Sequence, residues 1–221
     1  MVEVSRRMPV RGPTFIRLIA RIADIGVAPP EPSLSDRLGQ WIDWTRAVAL
    51  SRALDGTAPD GGAATPGADT NADECRRALV ATIVDDPALA SGAAADVQGF
   101  AGFRKLCLAR QRAMQAETGR LRGRLRDRVA ACSPGMARLA EVDAAMEQVL
   151  SPKEHALLAS IPDLLAAHYE RLQQQAADAT PPRPPEAWLA AFRRDMRDVL
   201  LAELDVRFQP IEGLLAALRQ H

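Results

Sequence analysis

The chain has 221 residues, and its 28 lysines and arginines balance its 28 aspartates and glutamates, so the formal net charge is zero. A neutral molecule has no overall field that would draw it to nucleic acid or to an anionic membrane, and no apolar run approaches the ~20 residues that span a bilayer. Apolar residues make up 48% of the chain but aromatic residues only 4%, and abundant Ala and Leu favour helix over sheet. The three cysteines lack metal-ligand spacing, and no secretion signal is recognisable. We therefore expect a cytoplasmic protein with no metal or other cofactor.

Two helices are predicted near the N-terminus, after a flexible arm at 1–12. Gly26 is expected to close the first helix, because glycine readily adopts the conformation that ends a helix. The second helix places Trp41 and Trp44 on one face, a position typical of core tryptophans. Together the two helices form a predicted N-terminal helical pair over 13–54.

A disordered linker is predicted at 55–72 (DGTAPDGGAATPGADTNA), because this stretch has no large apolar side chain to bury. Asn71, with Glu74 three residues on, forms a capping box that predicts the start of the next helix, which Pro87 ends. From here we predict a central helical bundle over 73–178.

The longest predicted helix runs between Gly99 and Ser133. At about 100° per residue its apolar side chains fall on one narrow stripe, which is typical of a helix that packs on other helices. The stripe consists of Cys107, Met114, Thr118, Leu121, Leu125, Val129 and Cys132.

Arginines follow both edges of this stripe, with Arg124 and Arg128 on one side and Arg122 and Arg126 on the other. A basic helix can track phosphates, so the Arg-rich helix 104–128 could bind nucleic acid. The favoured interpretation is a solvated flank paired with acidic residues of the next helix, which turns back as an antiparallel hairpin. Those acids are Glu141, Asp143 and Glu147. The candidate contacts for an anion or an acidic partner are Arg120, Arg122, Arg124, Arg126 and Arg128.

The segments after the long helix also read as helical. Ser133 with Pro134 should end it tightly and begin the returning helix. Ser151 and Pro152 resemble a second helix start, and a bend is expected at Pro162.

A Pro-rich spacer at 179–185 precedes a C-terminal helix over 186–221, in which Trp188 and Phe192 are predicted to anchor the helix start. Kinks are expected at Pro210 and Gly213. The apolar residues of this helix recur every three or four positions, as in a seam that packs against another helix. We predict this seam as the contact surface for a partner or a second copy: Leu201, Leu204, Phe208, Ile211, Leu215 and Leu218.

Catalytic signals are weak. His155, His168 and His221 show no metal-ligand spacing, and the chain has neither a phosphate-binding loop nor a nucleophile elbow. An enzyme would require His168 or His155 to meet carboxylates in a concave pocket. We predict no catalytic, cofactor-binding or metal-binding residues.

The chain resembles a proteobacterial family catalogued as a domain of unknown function, family 3348, over nearly its whole length. An N-terminal run and a C-terminal run carry the resemblance: Leu38, Trp41, Trp44, Ala47 and Leu50, then Trp188, Phe192, Asp195, Met196, Leu204, Pro210 and Gly213. The family supplies no catalytic residues. The resemblance implies a cytoplasmic accessory of an envelope-associated assembly, because members are encoded beside proteins resembling envelope channels or OmpA-like components.

The sequence therefore predicts an all-α protein: an antiparallel helical hairpin or bundle with a long central helix, a C-terminal helical segment and one disordered loop. The predicted function is a non-enzymatic helical interaction or scaffold protein, with coiled-coil-like packing, that binds protein partners or itself. Nucleic-acid binding is the alternative.

Overall fold

The computed structural model describes residues 14–24, 51, 68–90, 99–181 and 184–220. Within them the chain forms α-helices and no strand, which confirms the all-α prediction. The helices are α1 (Thr14–Ala23), α2 (Ala68–Val84), α3 (Phe100–Ala130), α4 (Pro134–Leu158), α5 (Ile161–Ala177) and α6 (Pro185–Gln220), with a 3-10 turn at Pro87–Leu89. The predicted arm, nearly all of the second N-terminal helix, residues 55–67 of the linker, Trp41, Trp44 and His221 lie outside the described residues.

Two predicted helix ends are wrong by a few residues. The first helix ends at Ala23 rather than near Gly26, because Asp24 has a positive φ of 55°. Aspartate tolerates this left-handed conformation better than most residues do, since its short side chain can hydrogen-bond locally. Helix α2 begins at Ala68, so Asn71 lies in its first turn and does not cap it, and residues 68–72 are helical rather than part of a disordered linker.

The long central helix matches its prediction closely. Six of the seven stripe residues of α3 are buried, and only Cys132, in the turn that follows, is half-buried. The one hydroxyl in the stripe is satisfied locally, because Thr118 Oγ1 donates to the Met114 carbonyl at 2.7 Å. The narrow apolar stripe is therefore a packing surface along the whole helix.

The turn after α3 also follows the sequence. Ser133 is the N-cap of α4, its hydroxyl accepts from the Met136 N–H at 3.4 Å, and Pro134 occupies the first turn. Pairing between α3 and α4, described below, confirms the antiparallel hairpin.

Pro152 and Pro162 do not occupy the positions that the sequence predicts, namely a helix start for Pro152 and a bend within a helix for Pro162. Pro152 lies inside α4 rather than at a helix start. The helix tolerates it because Pro152 and Gln148, whose carbonyl loses its partner, are both exposed to water. The chain instead breaks at Ala159 and Ser160, so Pro162 belongs to the first turn of α5 and does not bend a helix interior. In α6 the helix continues through Pro210.

The chain divides into two compact units, each assembled from segments distant in sequence. Unit 1 takes its described residues from 14–24, 80–90, 99–112, 160–181 and 184–206; unit 2 takes them from 51, 68–79, 113–159 and 207–220. The predicted segment boundaries are contiguous and stay a prediction.

In unit 1, α1 packs on α5, and the largest buried side chains come from four of the five described segments, all but 99–112. They are Ile22, Ile83, Leu89, Ile161, Leu165, Phe192, Met196, Leu200 and Leu204. In unit 2, the core comes from the second part of α3, from α4 and from the end of α6. Its members include Met114, Leu121, Leu125, Val149, Phe208, Ile211 and Leu215. Burial of this apolar area, at about 25 cal/mol per Å², is the main term that stabilises each unit.

Candidate functional site

The arginine flank of α3 is partly neutralised by α4 within unit 2. Asp143 accepts from Arg122 Nε at 3.0 Å and Nη2 at 2.7 Å, and from Arg126 Nε at 3.0 Å. Arg126 also pairs with Glu147. Burial disfavours the charge of Arg126, but hydrogen bonds and attraction from Glu147 and Asp143 outweigh burial and raise its pKa.

The predicted flank pairing is therefore present for Arg122 and Arg126, which face α4 rather than an outside anion. Arg120 pairs with Glu117 on its own helix, and Arg124 is exposed. Arg128 is half-buried. The five arginines do not form one open basic face, and nucleic-acid binding stays a prediction.

The predicted contact seam of α6 is mostly inside the protein. Leu204, Phe208, Ile211 and Leu215 are each at most 5% exposed. Leu201 and Leu218 are half-buried. Apolar residues that recur every three or four positions are also typical of a helix that packs on other helices of its own chain. These four residues pack in that way. Four of the six predicted contact residues are therefore buried within this chain, whereas partner contact through Leu201 and Leu218 stays a prediction.

A polar cluster joins α1, α5 and α6 in unit 1. His168 Nε2 lies 2.8 Å from Asp195 Oδ2, and His168 Nδ1 lies 3.0 Å from Arg171 Nη2. Arg171 also donates to the Ile22 carbonyl in the last turn of α1, and Arg21 Nη2 donates to Asp195 Oδ1 at 3.1 Å. The cluster thus ties the end of α1 to the other two helices.

This arrangement favours one tautomer of the His168 ring. Because a guanidinium only donates, Nδ1 of His168 accepts from Arg171 and Nε2–H donates to Asp195. Burial acts to raise the pKa of Asp195, but the hydrogen bond from His168 and the positive charges of Arg21 and Arg194 lower it overall. His168 is buried and both ring nitrogens are engaged. His155, by contrast, is exposed.

Aromatic side chains pack beside this cluster, and the predicted anchor at the start of α6 is among them. Phe192 is fully buried, with its ring 5.0 Å from Phe103 and 5.1 Å from Tyr169 between centroids. Trp188 meets Tyr169 edge-on at 5.0 Å. Such edge-to-face contacts add to the burial energy of each ring.

An open apolar cleft lies in unit 2 where the start of α4 meets the end of α6. We call it the end cleft; its volume is about 410 Å³ and it is lined by Ser133, Gly135, Met136, Leu139, Ala217 and Gln220. Leu139 is 39% exposed although it is a large apolar residue. This cleft can accept an apolar side chain from another molecule.

A second opening in unit 2, the side cleft, is polar and has a volume of about 220 Å³. Charged or small residues of α3, α4 and α6 line it, among them Gly119, Arg122, Glu147, Ser151, Glu154 and Arg207. His155 also lines it. The sequence pattern missed this site, because its residues come from three helices and no local spacing unites them.

Other candidate chemistry is limited in the described parts of the chain. There, no group of three His, Cys, Asp or Glu side chains converges as a metal ion would require. Burial, with repulsion from Glu203, raises the pKa of the Cys107 thiol to about 12, so that thiol stays protonated. None of the described helices is both long and apolar enough to cross a membrane.

Comparison with known proteins places the chain in one family. Neither a curated protein nor a solved structure matches it. A family model described as protein of unknown function (DUF3348) matches residues 1–220, essentially the whole chain. The chain therefore belongs to this family of proteins of unknown function, as the resemblance in its N-terminal and C-terminal runs indicates.

Proposed function

We propose that this protein is a helical interaction protein that binds another protein through the end cleft of unit 2. The observation that carries the proposal is the exposed apolar surface at this cleft, where Leu139 and Met136 of α4 face Ala217 of α6. Exposed apolar area in a recess is unfavourable in water, and a partner's apolar side chain would remove it from water.

The shape and composition of the end cleft support a protein partner. It lies at the turn of the α3–α4 hairpin, where Gly135 adds no side chain and Ser133 supplies a polar rim. An apolar centre with a polar rim is the usual anatomy of a protein interface. Leu218, the half-buried end of the predicted seam, adjoins Ala217. None of the six seam residues lines the end cleft, so the contact surface that we propose lies beside the C-terminal end of the seam and is not the seam itself.

Location and context belong to the same proposal. We propose a cytoplasmic protein that serves as an accessory to an envelope-associated assembly, because the family resemblance implies that context. Fractionation of the cells that encode the protein tests this part: the protein should sediment with the envelope when its partner is present and remain in the cytoplasmic fraction when the partner gene is deleted. Sedimentation with the envelope in both strains would contradict it.

A paired substitution tests the end cleft itself. Leu139→Asp places a charge in the cleft, whereas Leu157→Asp places the same charge at a residue of α4 that is 66% exposed and does not line the cleft. Tagged wild-type protein and both variants are recovered from native cells, and associated proteins are quantified. Sedimentation velocity of the purified proteins measures self-association.

We expect one partner, or a second copy, to associate with the wild type and with Leu157→Asp. With Leu139→Asp, the amount of that associated protein should fall at least tenfold. Circular dichroism shows whether both variants keep their helices. Equal recovery with the two folded variants would refute the end cleft as the binding surface.

A further inference from the structure

The side cleft of unit 2 has walls of opposite charge. Its α4 wall carries Glu147, Ser151 and Glu154, and the facing walls from α3 and α6 carry Arg122 and Arg207. Glu147 and Glu154 are seven residues apart, which places them about 10.5 Å apart along the helix axis on nearly the same face. The cleft is therefore bounded by an acidic row on one side and two guanidiniums on the other.

Of the two guanidiniums, that of Arg122 is held in place before any ligand arrives. Asp143 fixes Arg122 through its Nε and Nη2 atoms, and the remaining Nη1 lies 3.7 Å from Glu147 Oε1, beyond hydrogen-bond distance. Arg207 Nη1 lies 3.4 Å from Glu154 Oε1, at the long end of hydrogen bonding. The arginine side chains are only 14% and 9% exposed, respectively. Both ion pairs across the cleft are long, although Asp143 anchors Arg122 and Arg126 holds Glu147.

Gly119 keeps the cleft open on the α3 side. A Cβ added there would meet no atom within 4 Å, so the glycine borders free space rather than a tightly packed neighbour. The volume of about 220 Å³ limits the occupant to a molecule of roughly amino-acid size.

We propose that the side cleft binds a small zwitterion. Its carboxylate would contact Arg122 and Arg207, and its ammonium group would contact Glu147 and Glu154. A lone anion would leave two partly buried carboxylates facing it, and a lone cation would face two guanidiniums, so each would meet repulsion as well as attraction. A zwitterion meets an opposite charge at each wall, while Arg122 keeps its hydrogen bonds to Asp143 and Glu147 its contact with Arg126.

The first test compares zwitterions of increasing length with two single-charge probes that share the four-carbon chain of γ-aminobutyrate. Calorimetric titration of the full-length protein uses the zwitterions glycine, β-alanine, γ-aminobutyrate and 6-aminohexanoate, and the single-charge probes butyrate and butylamine. We expect at least one zwitterion to bind at least tenfold more tightly than both single-charge probes. Binding by none of the zwitterions at about 10 mM, a concentration that would reveal affinities down to the millimolar range, would overturn the proposal. Equal binding of butyrate or butylamine would overturn it as well.

The second test uses two glycines of α3 as a matched pair. Gly119 lines the cleft and Gly123 does not, and a Cβ at either position meets no atom within 4 Å. Leucine at either site replaces a poor helix former by a good one, so both variants should fold. We expect Gly119→Leu to weaken zwitterion binding at least tenfold and Gly123→Leu to leave it unchanged. Unchanged binding by Gly119→Leu, with both melting curves cooperative, would contradict the assignment of the site.

Discussion

Asp143→Ala is the most informative single change for the α3–α4 hairpin. The Asp143 carboxylate accepts three side-chain hydrogen bonds, two from Arg122 and one from Arg126. Its removal leaves Arg122 without a close carboxylate, while Arg126 keeps its contact with Glu147. Because the Asp143 and Arg122 side chains are both only 14% exposed, water cannot fully replace what is lost.

The expected magnitude lies between two limits. A pair on the open surface contributes at most about 1 kcal/mol, whereas breaking a fully buried pair costs about 3–5 kcal/mol. The Asp143 contacts are largely but not wholly buried, and Arg126 retains a partner, so we expect a loss of about 2–3 kcal/mol. For a chain of this length that corresponds to a fall in Tm of about 6–9 °C.

Urea denaturation and thermal melting, both followed by circular dichroism, measure this loss. Glu141→Ala is the matched control, because Glu141 is an exposed carboxylate on the same helix, and it should change stability by less than about 0.5 kcal/mol. If Asp143→Ala is no more destabilising than Glu141→Ala, the pairing does not hold the hairpin. The arginine flank would then be available to an outside anion.

Three further predictions concern the cores, one thiol and pH. Leu204→Asp combined with Leu215→Asp should abolish cooperative melting rather than only release a partner. Both side chains are buried, and an unpaired buried charge raises the free energy of the folded state, so a folded double variant would refute their place in the core. Cys107 should resist iodoacetamide in the native protein at about pH 8 and react after unfolding, as peptide mass spectrometry would show; rapid native alkylation would contradict its burial. Asp195 has a pKa below its ordinary value of 3.8, so its ionised form stabilises the fold above that pH and the contribution disappears as pH falls through the lower native value. The stability difference between wild type and Asp195→Asn should therefore shrink as the pH falls from about 5 to below about 4, and a difference that grows over that range would refute the assignment.

Helix class and the α3–α4 pairing could be predicted because both depend on local spacing. The apolar stripe from Cys107 to Val129 repeats at helical intervals, and a tight turn at Ser133 brings the next helix back in antiparallel order. Under those conditions, acids on the side of α4 that faces α3 lie beside its arginines, as Asp143 and Glu147 do, whereas the third predicted acid, Glu141, is exposed.

Features that depend on distant contacts could not be read from spacing. Arg21 and Asp195 pair across 174 positions, and nothing local to either residue indicates it. The α6 seam could not be assigned from its pattern, because packing on a partner's helix and packing in the chain's own core require the same apolar periodicity. The Pro152 position likewise depends on which side of α4 faces water, and only the fold determines that.

Site-specific photocross-linking in native cells tests the central claim most directly. A photoreactive amino acid replaces Leu139 in one strain and Leu157 in another, and the covalent adducts are compared. We predict one discrete protein adduct at position 139 that is absent at position 157. The same adducts at both positions, or adducts at 157 alone, would show that the end cleft is not where this protein meets its partner.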